Sequence, residues 1–193
     1  MDIQFTGERV VPEKMDNKIW ILQEHLARYN FAIGILDQFK SKTVLDAACG
    51  SGYGSMLLSL SGKDVCGVDI DYDSIYYAKD KFRSFCKYDV VDLDNIGNNI
   101  DKKFDAIVSF ETIEHLENPD KFINWVKGKT DLFIFSIPIN QPSEFHKHVY
   151  SVEQAVELIK KHFNNYTFLS QIYMNIYNLD NNAKYIVGYA KNN

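Results

Sequence analysis

The chain has 193 residues, 46% hydrophobic and 24% charged, which fits a soluble chain with one domain and one substantial core. Its net charge of −5 and scattered lysines provide no basic footprint for a nucleic-acid backbone. No apolar run approaches membrane-spanning length, Met1-Asp-Ile-Gln4 is not a signal peptide, and Cys49, Cys66 and Cys86 form no Cys-x-x-Cys pair, so the expectation is a cytoplasmic protein with reduced thiols and no membrane insertion.

In chain order, residues 1–16, with Pro12, read as an extended arm. The near-helical spacing of Trp20, Ile21, Leu26, Phe31, Ile35 and Leu36 predicts a helix over 18–39. Strand-like segments follow at 43–46, 64–69, 85–88, 104–110 and 132–137, with helix-like segments between them, notably 53–60 and 74–82. A last helix, 152–163, starts after Ser151, a good N-cap, and Glu153 adds negative charge to its first turn. Two more strands, 166–173 and 184–190, flank a polar connection at 175–183 and read as a hairpin. Such β/α alternation calls for a mostly parallel sheet covered by helices on both faces.

The stretch Val44-Leu-Asp-Ala-Ala-Cys-Gly-Ser-Gly-Tyr-Gly54 reads as a buried strand, a glycine turn and a helix start. Its glycines keep side chains off the turn, so a ligand can approach the backbone. Asp69 follows Gly50 by nineteen positions, at the end of the next apolar run, where a carboxylate suits ribose hydroxyls; Asp71 is placed to share that role. Counted from Gly50, the dinucleotide fingerprint fails at Ser55, and Tyr53-Gly54-Ser55 lacks the lysine of a phosphate-cradling loop. The turn therefore points to an adenosine cofactor without either standard pyrophosphate signature.

This segment resembles motif I of class I S-adenosylmethionine-dependent methyltransferases, with Ala48 where that family often has another glycine. Phe104-Asp-Ala-Ile-Val-Ser-Phe-Glu-Thr-Ile-Glu-His-Leu116 resembles the family's fourth motif, and Ser136-Ile-Pro-Ile-Asn140 its Ser-x-Pro-Asn segment. The family's Pro-Gly-Gly before the fifth strand is replaced here by a shortened connection, 126–131. The resemblance implies a Rossmann-like α/β fold, a mostly parallel seven-stranded sheet with a terminal antiparallel hairpin, in a single domain over 1–193. It implies that S-adenosylmethionine is held by Asp46, Ala48, Gly50, Gly52, Asp69, Ile70, Asp89, Val90 and Glu111, with Asp89 accepting from the adenine amine.

Phe5-Thr-Gly-Glu-Arg-Val-Val-Pro-Glu13, continued by His25-Leu-Ala-Arg-Tyr29 and Phe31-Ala32, looks like the leader of a methyltransferase group associated with surface-polysaccharide or glycan genes. Residues 1–40 would then form a lid over a core at 41–193. Arg28 is placed to pair with the cofactor's carboxylate, and Glu8 with Arg9 either joins the lid or merely pins the arm. Towards the acceptor, His148 and His115 are the candidate bases, while His146, Tyr150 and Glu114 are the candidate substrate contacts. His146 and His148 alternate and would point the same way on an extended segment, but no third ligand stands nearby in sequence, so no metal is expected.

The function this reading supports is methyl transfer to an oxygen or nitrogen of a small molecule, in particular a sugar, nucleotide-linked sugar or glycan unit, by a monomer or homodimer. Two other classes compete. One is an NAD-dependent oxidoreductase of the same fold, against which the broken fingerprint argues. The other is a non-catalytic module that binds S-adenosylmethionine.

Overall fold

Val44 and Leu45 point to opposite faces of β1 (Thr43–Ala47), and each meets its own apolar layer. The computed structural model, which describes residues 3, 9–97 and 100–192, repeats this arrangement across one eight-stranded sheet. The other strands are β2 (Asp64–Asp69), β3 (Lys87–Val90), β4 (Ala106–Phe110), β5 (Leu132–Pro138), β6 (Asn165–Ile172), β7 (Asn175–Asn178) and β8 (Tyr185–Lys191). Their spatial order is β3-β2-β1-β4-β5-β8-β6-β7, with β1 to β5 parallel and β8 antiparallel to both β5 and β6. This is the Rossmann-like methyltransferase fold, with one strand more than expected.

The extra strand comes from the polar connection before β8. Ile176 and Tyr177 are half-buried there, and 175–178 pairs with the end of β6 as a short sheet edge. One face of the sheet is covered by α1 (Ile19–Gln38), α2 (Tyr53–Leu60) and α3 (Tyr72–Phe82), which pack on Val44, Ala106, Val108 and Ile134. The other is covered by α4 (Pro119–Lys129) and α5 (Val152–Lys160), packed on Leu45, Ile107, Phe133 and Phe135.

Local chemistry sets the helix ends. The Asp71 side chain accepts from the Ser74 N–H at 2.7 Å, so α3 starts two residues earlier than its apolar pattern suggests. Asn118 caps α4 and Pro119 opens it; residues 126–129, expected in a connection, are its last turn. Ser151 and Gln154 form a capping box on α5. The Phe82 carbonyl takes the N–H groups of both Phe85 and Cys86, which delays β3 by two residues.

Residues 12–18 form two 3-10 turns rather than an extended arm, with Val10, Val11 and Met15 buried. The buried stripe of α1 contains Leu22, Tyr29 and Leu36, but also Glu24 and Arg28, while Trp20 remains 45% exposed. Cys49, Cys66 and Cys86 are free. Among the described residues no helix is long and apolar enough to cross a membrane.

Candidate active site

The parallel strands end side by side, and the loops at their carboxyl edge enclose a cavity of about 600 Å³. After β1 the backbone adopts positive φ at Ala48 (63°), Gly50 (54°) and Gly52 (83°). A Cβ on Gly50 would meet nothing within 4 Å, so the cavity wall there is bare backbone. Gly52 serves another purpose. A Cβ there would lie 2.6 Å from that of Ala78, so its missing side chain lets α3 pack against the turn, and Gly52 is not part of the cavity wall.

Asp69, at the end of β2, accepts from the Gly50 N–H at 2.8 Å and from the Asp71 N–H at 2.9 Å. The carboxylate thus ties the glycine turn to the neighbouring strand end. Burial raises its pKa, and the two N–H bonds oppose that rise. Ile70 beside it is exposed on the cavity wall. Arg9 pairs with Asp71 at 2.6 Å, and the Ser51 hydroxyl donates to the Val10 carbonyl at 2.7 Å, which fixes the arm along the rim. Phe5 to Glu8 lie outside the described residues, so the Glu8–Arg9 pairing does too.

Asp46 is not on the wall. Strand alternation turns it to the Val44 face, where it accepts from Ser55 at 2.6 Å and from the Tyr29 hydroxyl at 3.3 Å. Burial pushes its pKa up to about 7, against the pull of those two bonds. It braces the turn from beneath. Asp89 and Val90 also lie off the cavity wall. Both are exposed on β3, and Asp89 lies 3.6 Å from Lys79. The acidic residues that reach the cavity from this segment are Asp92 and Asp94.

Glu111 enters from the end of β4 with φ 49°, a left-handed conformation costing an L-residue roughly 1–2 kcal/mol. It is held there: its N–H donates to Ser136 Oγ at 3.0 Å, and its carboxylate pairs with Arg28 and, at 3.1 Å, with His25. Burial pushes the Glu111 pKa up, but Arg28 and then His25 outweigh it and hold the carboxyl well below the usual range. Arg28 itself is fully buried. Its fork is used by Glu111 and by Gln171 at 3.0 Å, over the Tyr185 ring at 4.5 Å, so it positions Glu111 and is absent from the cavity wall.

His25 lines the cavity, and the sequence reading did not single it out as a site residue. Its spacing of three from Arg28 on one helix was the available signal. Burial lowers its pKa first and Arg28 second, with Glu111 opposing, so the ring is neutral at neutral pH. An ionised carboxylate only accepts, so Nε2 donates to Glu111 and Nδ1 keeps its lone pair.

The remaining expected residues divide. His115 lines the cavity, with the buried Glu114 and with His146 gathered beside it. His148 and Tyr150 do not reach it. The His148 ring bonds the Leu116 carbonyl at 2.9 Å and stacks on Tyr150, and both face a separate open depression beside α5. The loop register decides this: the His148 and Lys147 N–H groups donate to the Glu114 carbonyl at 3.1 and 2.9 Å, and the His148 ring turns away while Lys147 stays on the cavity wall.

Residues 45–128 match the family model described as a methyltransferase domain. A probable S-adenosylmethionine-dependent methyltransferase of Mycolicibacterium smegmatis is 27% identical over 127 residues, covering 63% of this chain and 45% of that one. The chain thus spans less than half the length of curated relatives such as this. Among solved structures, an S-adenosylmethionine-dependent methyltransferase from Clostridium acetobutylicum superposes with a TM-score of 0.70 at 18% identity, covering 86% of this chain and 90% of the other. Magnesium protoporphyrin IX methyltransferase from Synechocystis, with bound S-adenosylhomocysteine, superposes with a TM-score of 0.69 at 15% identity, over 100% and 90% of the two chains.

The cavity offers the donor set that S-adenosylmethionine needs: open backbone at Gly50, a carboxylate at Asp69, and an acidic wall at Asp92 and Glu111. That fit rests on this chain's own geometry.

Proposed function

We propose that the chain transfers a methyl group from S-adenosylmethionine to an oxygen or nitrogen of a small molecule, a sugar, nucleotide-linked sugar or glycan unit. The observation that carries this reading is the bare Gly50 backbone, tied by its N–H to Asp69 at 2.8 Å on the wall of a 600 Å³ cavity. When bound, S-adenosylmethionine supplies an activated methyl group, so the protein's task is alignment at about 3–3.5 Å and exclusion of water.

The chain's residues suit that task. Asp69 keeps lone pairs for ribose hydroxyls beyond its two backbone bonds. Asp92 takes the adenine-side position expected of Asp89. The fixed negative charge of Glu111 favours a cationic centre in the cavity. His25, neutral with Nδ1 unprotonated, takes the proton from an acceptor hydroxyl, the role expected from the sequence of His148 and His115. The rim carboxylate Asp94 accepts hydrogen bonds from a polyhydroxylated acceptor.

Calorimetry of the purified chain with S-adenosylhomocysteine and with NAD tests the reading, followed by transfer of labelled methyl to a panel of nucleotide sugars and free glycans. Binding of S-adenosylhomocysteine alone and label on one sugar class are expected. Heat with NAD and none with S-adenosylhomocysteine would overturn it. Binding without transfer to any acceptor would favour the non-catalytic module.

A further inference from the structure

The geometry points to a divalent transition-metal site at the acceptor end of the cavity, formed by Glu114, His115 and His146. One ligand atom from each lies within 4.8 Å of the other two, in a carboxylate-plus-two-imidazole set drawn from two segments far apart in sequence. Glu114 and His115 sit on the 3-10 turn Ile113–His115 after β4, and His146 on the loop after β5. Glu114 is fully buried, its Oε1 3.7 Å from His115 Nε2, and the rings of His115 and His146 meet edge to face at 4.9 Å.

Each imidazole is held by a backbone carbonyl. His115 Nδ1 lies 3.0 Å from the Phe145 carbonyl, and His146 Nδ1 lies 2.7 Å from the Gln141 carbonyl. A carbonyl only accepts, so both Nδ1 atoms carry hydrogen, and Nε2 is the nitrogen each ring would offer to a metal. Ligating histidines are oriented by such bonds. The loop is pinned as well: Asn140 N–H donates to the Tyr150 carbonyl at 2.9 Å, and the Glu114 carbonyl receives the Lys147 and His148 N–H groups. A cation at about 2.1 Å from each ligand needs ligand separations of about 3.4 Å, so the triad closes by roughly an ångström on loading. Two nitrogens and one oxygen favour Zn²⁺, Mn²⁺ or Co²⁺ over Mg²⁺ or Ca²⁺.

Three protein ligands leave coordination positions open, and His115 lies on the cavity wall, so those positions face the acceptor. The site therefore takes an acceptor with adjacent hydroxyls. Coordination lowers the pKa of one of them; its proton leaves to water or His25, its oxygen pair forms the new C–O bond, and the S–C pair stays with sulfur. This role rests on the methyl-transfer reading, whereas the metal site itself does not.

The test uses the full chain, stripped with a chelator and titrated with Co²⁺, with the visible d–d absorption as the readout. One Co²⁺ per chain, competition by Zn²⁺, and at least about tenfold weaker binding in His146→Ala and His115→Ala are expected. His146→Ala changes a loop residue, and circular dichroism separates a lost ligand from a lost fold; Glu114→Gln provides a second arm. Catechol, as the diol probe, should shift the Co²⁺ band. No band, or a band unchanged in the two histidine variants, overturns the site; a band indifferent to catechol overturns its role with the acceptor. S-adenosylhomocysteine calorimetry on the stripped protein keeps the outcomes distinct. Cofactor binding without a Co²⁺ band removes only the metal, and a Co²⁺ band without cofactor binding removes the methyl-transfer reading.

Discussion

Removing Arg28 tests the electrostatic logic of the cavity most directly. Arg28→Met keeps the length of the side chain and deletes the guanidinium that bonds Glu111 and Gln171 over Tyr185. Loss of one partner of a buried ion pair costs about 3–5 kcal/mol, because the other charge remains. Glu111 keeps His25 and its side chain is 20% exposed, which puts the expected loss near the lower end, about 3 kcal/mol. The pH dependence has a defined sign. In the parent chain Glu111 titrates below its unfolded value, so its contribution is complete above about pH 4.5 and is lost as pH falls below that. Without Arg28 burial prevails, the folded carboxyl titrates above its unfolded value, and the cost is largest at neutral pH and fades on acidification. Urea unfolding followed by circular dichroism at about pH 7 and about pH 5 should show the gap between the two chains narrowing as pH falls. Adding Glu111→Gln to the variant should recover most of the loss, giving a coupling energy for the pair. A gap below about 1 kcal/mol, or one constant with pH, would refute the argument.

Other substitutions probe separate parts of the site. Asp69→Ala deletes the acceptor for the Gly50 and Asp71 N–H groups and should weaken S-adenosylhomocysteine binding by about 1.5–3 kcal/mol; equal affinity in calorimetry would contradict the ribose role. The Asp46 carboxyl, at about 7 when folded, titrates above its unfolded value, so stability falls as pH rises from about 4 to 7. Asp46→Asn should remove up to roughly 4 kcal/mol of that fall, and identical slopes of unfolding energy against pH would count against it. A Cβ at position 54 would lie 1.8 Å from Tyr29 Cζ, so Gly54→Ala should lower stability by about 1–3 kcal/mol or more in thermal unfolding, and a neutral result would mean that Tyr29 packs elsewhere.

Much of the fold is legible without coordinates because it is written locally. The apolar runs of β1, β2, β4 and β5, the glycine turn before α2 and the Ser151 cap of α5 each depend on residues within a few positions of one another. The departures have local causes too: the Asp71 cap lengthened α3, and weak alternation at 175–178 concealed β7. Ala48, Gly50, Asp69, Ile70, Glu111 and His115 reach the cavity because strand ends in a parallel sheet share one edge, a rule that needs only the β/α order.

Side-chain direction lay beyond that rule. Asp46 went beneath the turn by strand alternation, Asp89 went to the surface while Asp92 came in, and His148 was turned away by two backbone bonds to Glu114. Arg28 meets Glu111 across 83 positions and Gln171 across 143, and His146 joins Glu114 and His115 only when the loop after β5 folds back on the turn after β4. Periodicity and spacing fix which segments become strands and helices, since those depend on near neighbours. Which charges end up facing one another is set by the packing of distant elements, and no local pattern in the chain encodes that.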